Sequence, residues 1–162
     1  MIGNEPLWME KGFLWFLLVL GVFLFLYSLR KPPRKDWLLA FFITSYCSSI
    51  LRVIVVEKHL LDYPVGLFEK YFHTSPLYEF LLLPVVSIYY YQFTYRSGWV
   101  AMFVTGLVAA SALTCTEVIF EKYTPFVHYI TWTWQASFLS IFLLLFAIRV
   151  FLHLVNQKED SG

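Results

Sequence analysis

Long apolar runs alternate with short polar breaks along the whole chain. Gly12 to Leu29 is apolar and is closed by Arg30 and Lys31, then by Pro32 and Pro33, which cannot continue a helix. A second run, Trp37 to Val56, carries Thr44, Ser45, Ser48, Ser49 and Arg52 inside it. The third, Leu77 to Tyr95, holds Glu79 near its start and Pro84 in its interior, and stops at Arg96-Ser97-Gly98. Trp99 to Ile119 and Gln135 to Val155 complete the series. Each run approaches or reaches the roughly 20 residues that cross a bilayer's hydrocarbon at about 1.5 Å per residue. The pattern predicts an all-α, polytopic membrane protein. Its single membrane domain, residues 1–162, has transmembrane helices at about 12–29, 37–56, 77–95, 99–119 and 135–155, five in all.

The connections sharpen this picture. Between Glu57 and Pro76, charged and apolar residues mix, and Val65, Phe68 and Phe72 fall on one helical side with Glu69, Lys70 and His73 mostly on the other. That amphipathic pattern predicts a short interfacial helix at about 65–73, too short to span. Pro84 should kink the third span. The connection from Lys122 to Trp134 is rich in aromatic rings, as in a headgroup-depth belt. The triplet Tyr89-Tyr90-Tyr91 reads as a second aromatic anchor, at the opposite end. The first span is not a cleaved signal, because no basic segment precedes it and a basic cluster follows directly.

Polar residues inside the spans share faces. Ser45, Ser49 and Arg52 stand at i, i+4 and i+7. Gly106, Ala110, Thr114, Glu117 and Glu121 form a continuous stripe, with the first two a small-xxx-small pair that admits a neighbouring helix. Orientation follows from the basic residues. Arg30, Lys31, Arg34, Lys35, Arg96, Arg149 and Lys158 lie on one side, against Lys11, Lys58, Lys70 and Lys122 on the other. The excess places the N-terminus outside and the C-terminus inside. Arg52, Glu57, Glu79, Thr114, Glu117, Glu121 and Gln135 then gather toward the outer boundary as a polar cluster that either binds something or clasps the helices together. Arg149 and His153 are expected to face the inner headgroups.

Composition excludes several classes. Hydrophobic residues make up 59% and charged residues 14%, where a soluble domain carries about 25% charged residues. The net charge of +1 implies no nucleic-acid partner. Cys47 and Cys115 read as small apolar core residues. The histidines, His59, His73, His128 and His153, show no i, i+4 pairing that would suggest a metal. No nucleophile elbow, zinc-protease helix or phosphate loop occurs. The sequence therefore calls for no cofactor, metal or catalytic residue.

Tyr63-Pro64, Tyr71-Phe72-x-Thr74-Ser75, Glu79, Leu81-Leu82-x-Pro84, Tyr90-x-Gln92-x-Thr94-Tyr95 and Trp132-Thr133-Trp134 together resemble a family of small, uncharacterised multi-spanning membrane proteins of spore-forming Gram-positive bacteria. The resemblance covers roughly residues 36–155. It implies a bacterial cell membrane and about five spans, and supplies no activity. The leading expectation is a non-enzymatic accessory or scaffold component, in contact with membrane lipids and with a membrane-protein partner or further copies of itself. The alternatives are a small transporter or lipid-binding protein with an outward-facing polar pocket, and a membrane-embedded lipid-modifying enzyme.

Overall fold

The computed structural model describes residues 7–62, 77–123 and 128–159. Helix α1 spans Leu7–Ser28 and α2 spans Arg34–Glu57. A π-helical turn, Tyr78–Leu82, leads into α3, Leu83–Thr94. Helix α4 spans Trp99–Tyr123 and α5 spans Trp134–Glu159. The fold is all-α apart from a two-residue antiparallel ladder, in which β1 (Leu61–Asp62) pairs with β2 (His128–Tyr129). Three helices are long and apolar enough to cross a membrane: α2, α4 and the Trp134–Val155 part of α5; Gly12–Ser28 is a shorter apolar helix. The chain is thus a multi-pass membrane protein. The interfacial helix expected at about 65–73 lies outside the described residues.

Pro84 explains the π turn. It has no N–H to offer the carbonyl four residues back, so an unbroken α-helix would leave that carbonyl without its donor. The chain widens instead, with the Leu83 N–H reaching back to Tyr78 O, and Pro84 then sits in the first turn of α3, where it costs nothing. The expected kink is therefore realised as a wide turn that carries Glu79.

Helix α3 is the hub, touching α1, α2, α4 and α5. Successive helical residues point about 100° apart, so the tyrosine triplet fans toward different neighbours. Tyr89 Oη donates to Leu24 O of α1 at 3.1 Å, and Tyr90 Oη to Met102 O of α4 at 2.9 Å. The Tyr91 ring meets Trp37 of α2 edge-on, with centroids 5.2 Å apart. Tyr90 and Tyr91 are buried in the bundle interior and Tyr89 is half-buried against α1, so the three rings do not form the aromatic anchor their run suggested.

Close approaches occur at two glycines. A Cβ at Gly106 would lie 3.2 Å from Phe142 of α5 and 3.2 Å from Tyr90 Oη, so this small residue seats α4 against both neighbours. At Gly21 it would lie 2.7 Å from Leu81, bringing α1 onto the π turn. The outer faces present Phe16, Val19 and Phe23 on α1, Phe42 on α2, Val100 and Val108 on α4, and Leu143 on α5. In a bilayer these meet acyl chains. Cys115 is also exposed and Cys47 half-buried, so the expected pair of core cysteines is not found.

At the other end of α2 the chain stops in a Schellman turn. His59 N–H donates to Val56 O at 2.8 Å and Leu60 N–H to Val55 O at 3.2 Å. His59 adopts φ 52°, a left-handed conformation that glycine usually supplies. Leu60 O then accepts the N–H groups of Ile130, Thr131 and Trp132, which ties the end of α2 to the segment entering α5.

Candidate functional site

The site grows from one face of α2. Thr44 Oγ1 donates to Ser87 Oγ of α3 at 2.8 Å, and Ser48 Oγ to Glu79 O at 3.1 Å. These contacts set the register of α2 against the π turn. One helical turn beyond Ser48, Arg52 reaches between two acidic side chains from two other elements. Its Nη1 donates to Glu117 Oε1 of α4 at 3.1 Å, and its Nε lies 3.8 Å from Glu79 Oε1. The guanidinium carbon sits 5.4 Å from the Tyr78 ring centroid. The π turn brings Glu79 and Tyr78 to this cation from one segment.

Burial decides the character of the cluster. The side chains of Arg52, Glu79 and Glu117 are 12%, 2% and 3% exposed, so the ion pairs are nearly removed from solvent. Charges in such a place are retained only when paired. The 3.1 Å contact to Glu117 is a charge-assisted hydrogen bond, and the 3.8 Å contact to Glu79 is a longer electrostatic one. Glu79 Oε1, Glu117 Oε2 and Thr114 Oγ1 have no hydrogen-bond partner among the described residues. Arg52 and Ser48 also border a shallow groove of about 70 Å³, shared with Leu83, Trp132, Ser140 and Leu144.

The other residues expected in the cluster are placed differently. Glu57 and Gln135 are exposed at helix ends, and Glu121 is half-buried one turn beyond Glu117. Their α2, α4 and α5 positions share the Arg52 end of the bundle, yet they join no described contact with it. Arg52, Glu79 and Glu117 make the core of the site, with Thr114 beside Glu117 on α4.

Ser48 and Ser49 hydroxyls donate to backbone carbonyls. Among the described residues no serine, threonine or histidine bonds a carboxylate of the cluster, and no group of three metal-ligating side chains occurs.

A second buried cation escaped the sequence reading. Arg149 of α5 is 2% exposed rather than facing headgroups. Its Nε donates to Thr94 Oγ1 at 2.8 Å and its Nη2 to Thr94 O at 2.6 Å. Its guanidinium lies 4.6 Å from the Tyr91 ring centroid. A cation at the carbonyl end of α3 satisfies orphan acceptors and complements the helix dipole. Leu145, Ile148 and Leu152, on the same helical face as Arg149, are buried with it.

The result is a multi-pass, all-α membrane protein with a guanidinium shared between Glu79 and Glu117. Comparison with family models, with curated proteins and with solved structures finds no match to the chain.

Proposed function

We propose that this protein is a non-enzymatic accessory or scaffold component of a bacterial cell membrane, with five spans, its N-terminus outside and its C-terminus inside. The observation that carries this reading is the pairing of Arg52 with acidic side chains from two other elements. Arg52, Glu79 and Glu117 belong to three elements, are nearly sealed, and hold α2, the π turn and α4 together. A clasp of this kind leaves lipid contact and the apolar outer faces as the protein's means of action. The distribution of basic residues supports the orientation, and the resemblance to proteins of spore-forming bacteria supports the compartment.

The groove bordered by Arg52 favours a second reading, in which a small polar solute or lipid group lies in it against the guanidinium. One experiment separates the two. Buried ion pairs can be replaced by well-packed apolar residues without loss of stability, so the triple variant Arg52→Met, Glu79→Met, Glu117→Leu keeps a clasp and abolishes a charged site. Wild type and triple variant are extracted with surrounding membrane in polymer discs, and co-purifying proteins are identified. The scaffold reading requires a stoichiometric membrane-protein partner, or self-association, equally retained by a stable triple variant. Loss of that association in a folded triple variant, or absence of any association in the wild type, contradicts it.

A further inference from the structure

A separate groove lies at the end of the bundle opposite Arg52. It opens between the α1–α2 turn and the α3–α4 turn, with a volume of about 440 Å³, and Lys31, Trp37, Gln92, Tyr95 and Arg96 line it. The size falls in the range of small-ligand sites, about 300–1,000 Å³. Its frame is fixed. Trp37 Nε1 donates to Lys31 O at 2.8 Å, Gln92 Nε2 donates to Ser28 O at 3.0 Å, and the Trp37 and Tyr95 rings meet edge-on with centroids 5.6 Å apart.

The charge is one-sided. Neighbouring cations of the first turn are engaged: Arg34 Nε bonds Leu29 O, and Arg30 lies over the Tyr27 ring. Lys31 and Arg96 are exposed, and neither side chain has an ion-pair or hydrogen-bond partner among the described residues. Among the described residues no carboxylate lines the groove, and Asp36, next to Trp37 in sequence, is buried. The carbonyl end of α3 would oppose an anion here, but Arg149 already covers Thr94 O and adds its own positive charge.

We infer that this groove binds a phosphate anion, presented by the headgroup of an acidic phospholipid or by a soluble phosphate, with Lys31 and Arg96 as its charge contacts. Basic pockets between transmembrane helices recognise lipid phosphates in this way. Trp37 and Tyr95 give the groove an aromatic wall suited to headgroup depth. The orientation proposed above would set it in the inner leaflet; binding itself does not depend on that orientation.

The test compares wild type, Lys31→Gln/Arg96→Gln, and the control Arg30→Gln/Arg34→Gln. Each is placed in nanodiscs of phosphatidylcholine with a minor fraction of phosphatidylglycerol, and native mass spectrometry counts retained phosphatidylglycerol. At about 1 kcal/mol for each cation that contacts the phosphate, loss of both weakens retention about 30-fold at ~1.4 kcal/mol per decade, while the control, whose cations are held outside the groove by the Tyr27 ring and Leu29 O, loses clearly less. The single variant Lys31→Glu should lower retention too, and covers failure of the double variant to fold. In pure phosphatidylcholine discs, inorganic phosphate and glycerol phosphate are added and melting is followed. A Lys31- and Arg96-dependent rise there assigns the site to a soluble phosphate; dependence on phosphatidylglycerol alone assigns it to lipid. Equal retention in folded double variant and wild type, with no phosphate-dependent shift, overturns the inference.

Discussion

Replacing Arg149 by methionine should destabilise the bundle by about 3 kcal/mol, a figure built from its contacts. The guanidinium makes two short charged hydrogen bonds, to Thr94 Oγ1 and Thr94 O, and a third contact of 3.4 Å to Tyr95 O that is too long to weigh much. Hydrogen bonds to charged groups contribute about 1.5–3 kcal/mol each, and stacking over a desolvated ring adds up to about 2 kcal/mol. Against these gains stands the several-kcal/mol cost of burying the cation, which the apolar methionine does not incur. About 3 kcal/mol is the expected net loss. Arg149→Lys keeps the charge but not the fork and should lose about half as much. Unfolding in mixed micelles with increasing denaturing detergent measures both. Hydrogen exchange supplies a local check, because Thr94 O also accepts the Ser97 N–H at 3.1 Å; the turn after α3 should exchange faster in the methionine variant. A methionine variant within about 0.5 kcal/mol of wild type, with Ser97 exchange unchanged, would refute this role for Arg149.

Other positions give equally direct outcomes. Gly106→Leu should cost about 2–3 kcal/mol by overpacking against Phe142 and Tyr90, read as a lower melting temperature in detergent; an unchanged melt would refute the close α4–α5 approach. His59→Gly relieves a left-handed φ of 52° and should be neutral or stabilising by about 1 kcal/mol, where a clear loss of stability would show that the imidazole itself makes an essential contact. Ser87→Ala removes one of the two hydrogen-bond partners of the buried Thr44 hydroxyl, which keeps Ala40 O, and should cost about 1 kcal/mol, with Thr44→Val/Ser87→Ala costing less than the sum of the single changes; strict additivity would argue against the bond.

Much of the fold was legible because the bilayer imposes a simple length rule, and apolar runs reveal it. The helices nevertheless run past the apolar runs: α4 continues to Tyr123 and α5 to Glu159. A helix does not end where hydrocarbon ends, since polar residues continue it readily in the headgroup layer. Arg52, Glu79 and Glu117 stood out because charges within apolar runs are costly and demand partners. Their company was harder to read. Glu57, Glu121 and Gln135 share the same end of the bundle, but level does not fix direction, and only the packing of α2 against the π turn and α4 selects which side chains meet. Arg149 lies near the end of an apolar run, where a cation normally snorkels to the headgroups. It is buried because α3 ends beside it, a tertiary fact with little local trace. The tyrosine triplet misled for a related reason: three adjacent rings resemble an interfacial belt unless their helix is the hub of the bundle. Pro84 announced a break, but not that widening into a π turn would relieve it.

Arg52 holds the bundle together through Glu117 at 3.1 Å and, less tightly, through Glu79 at 3.8 Å. A double-mutant cycle tests it most directly: Arg52→Met, Glu117→Gln and the pair together, with the parallel cycle through Glu79→Gln, all measured by unfolding in the same micelles. Each Glu117 or Arg52 single change should cost about 3 kcal/mol by stranding a buried charge, and the pair should cost clearly less than the sum, with a coupling of about 2 kcal/mol. The coupling through Glu79 should be smaller, because its contact is 3.8 Å against 3.1 Å. Additivity within about 0.5 kcal/mol in both cycles would contradict the clasp.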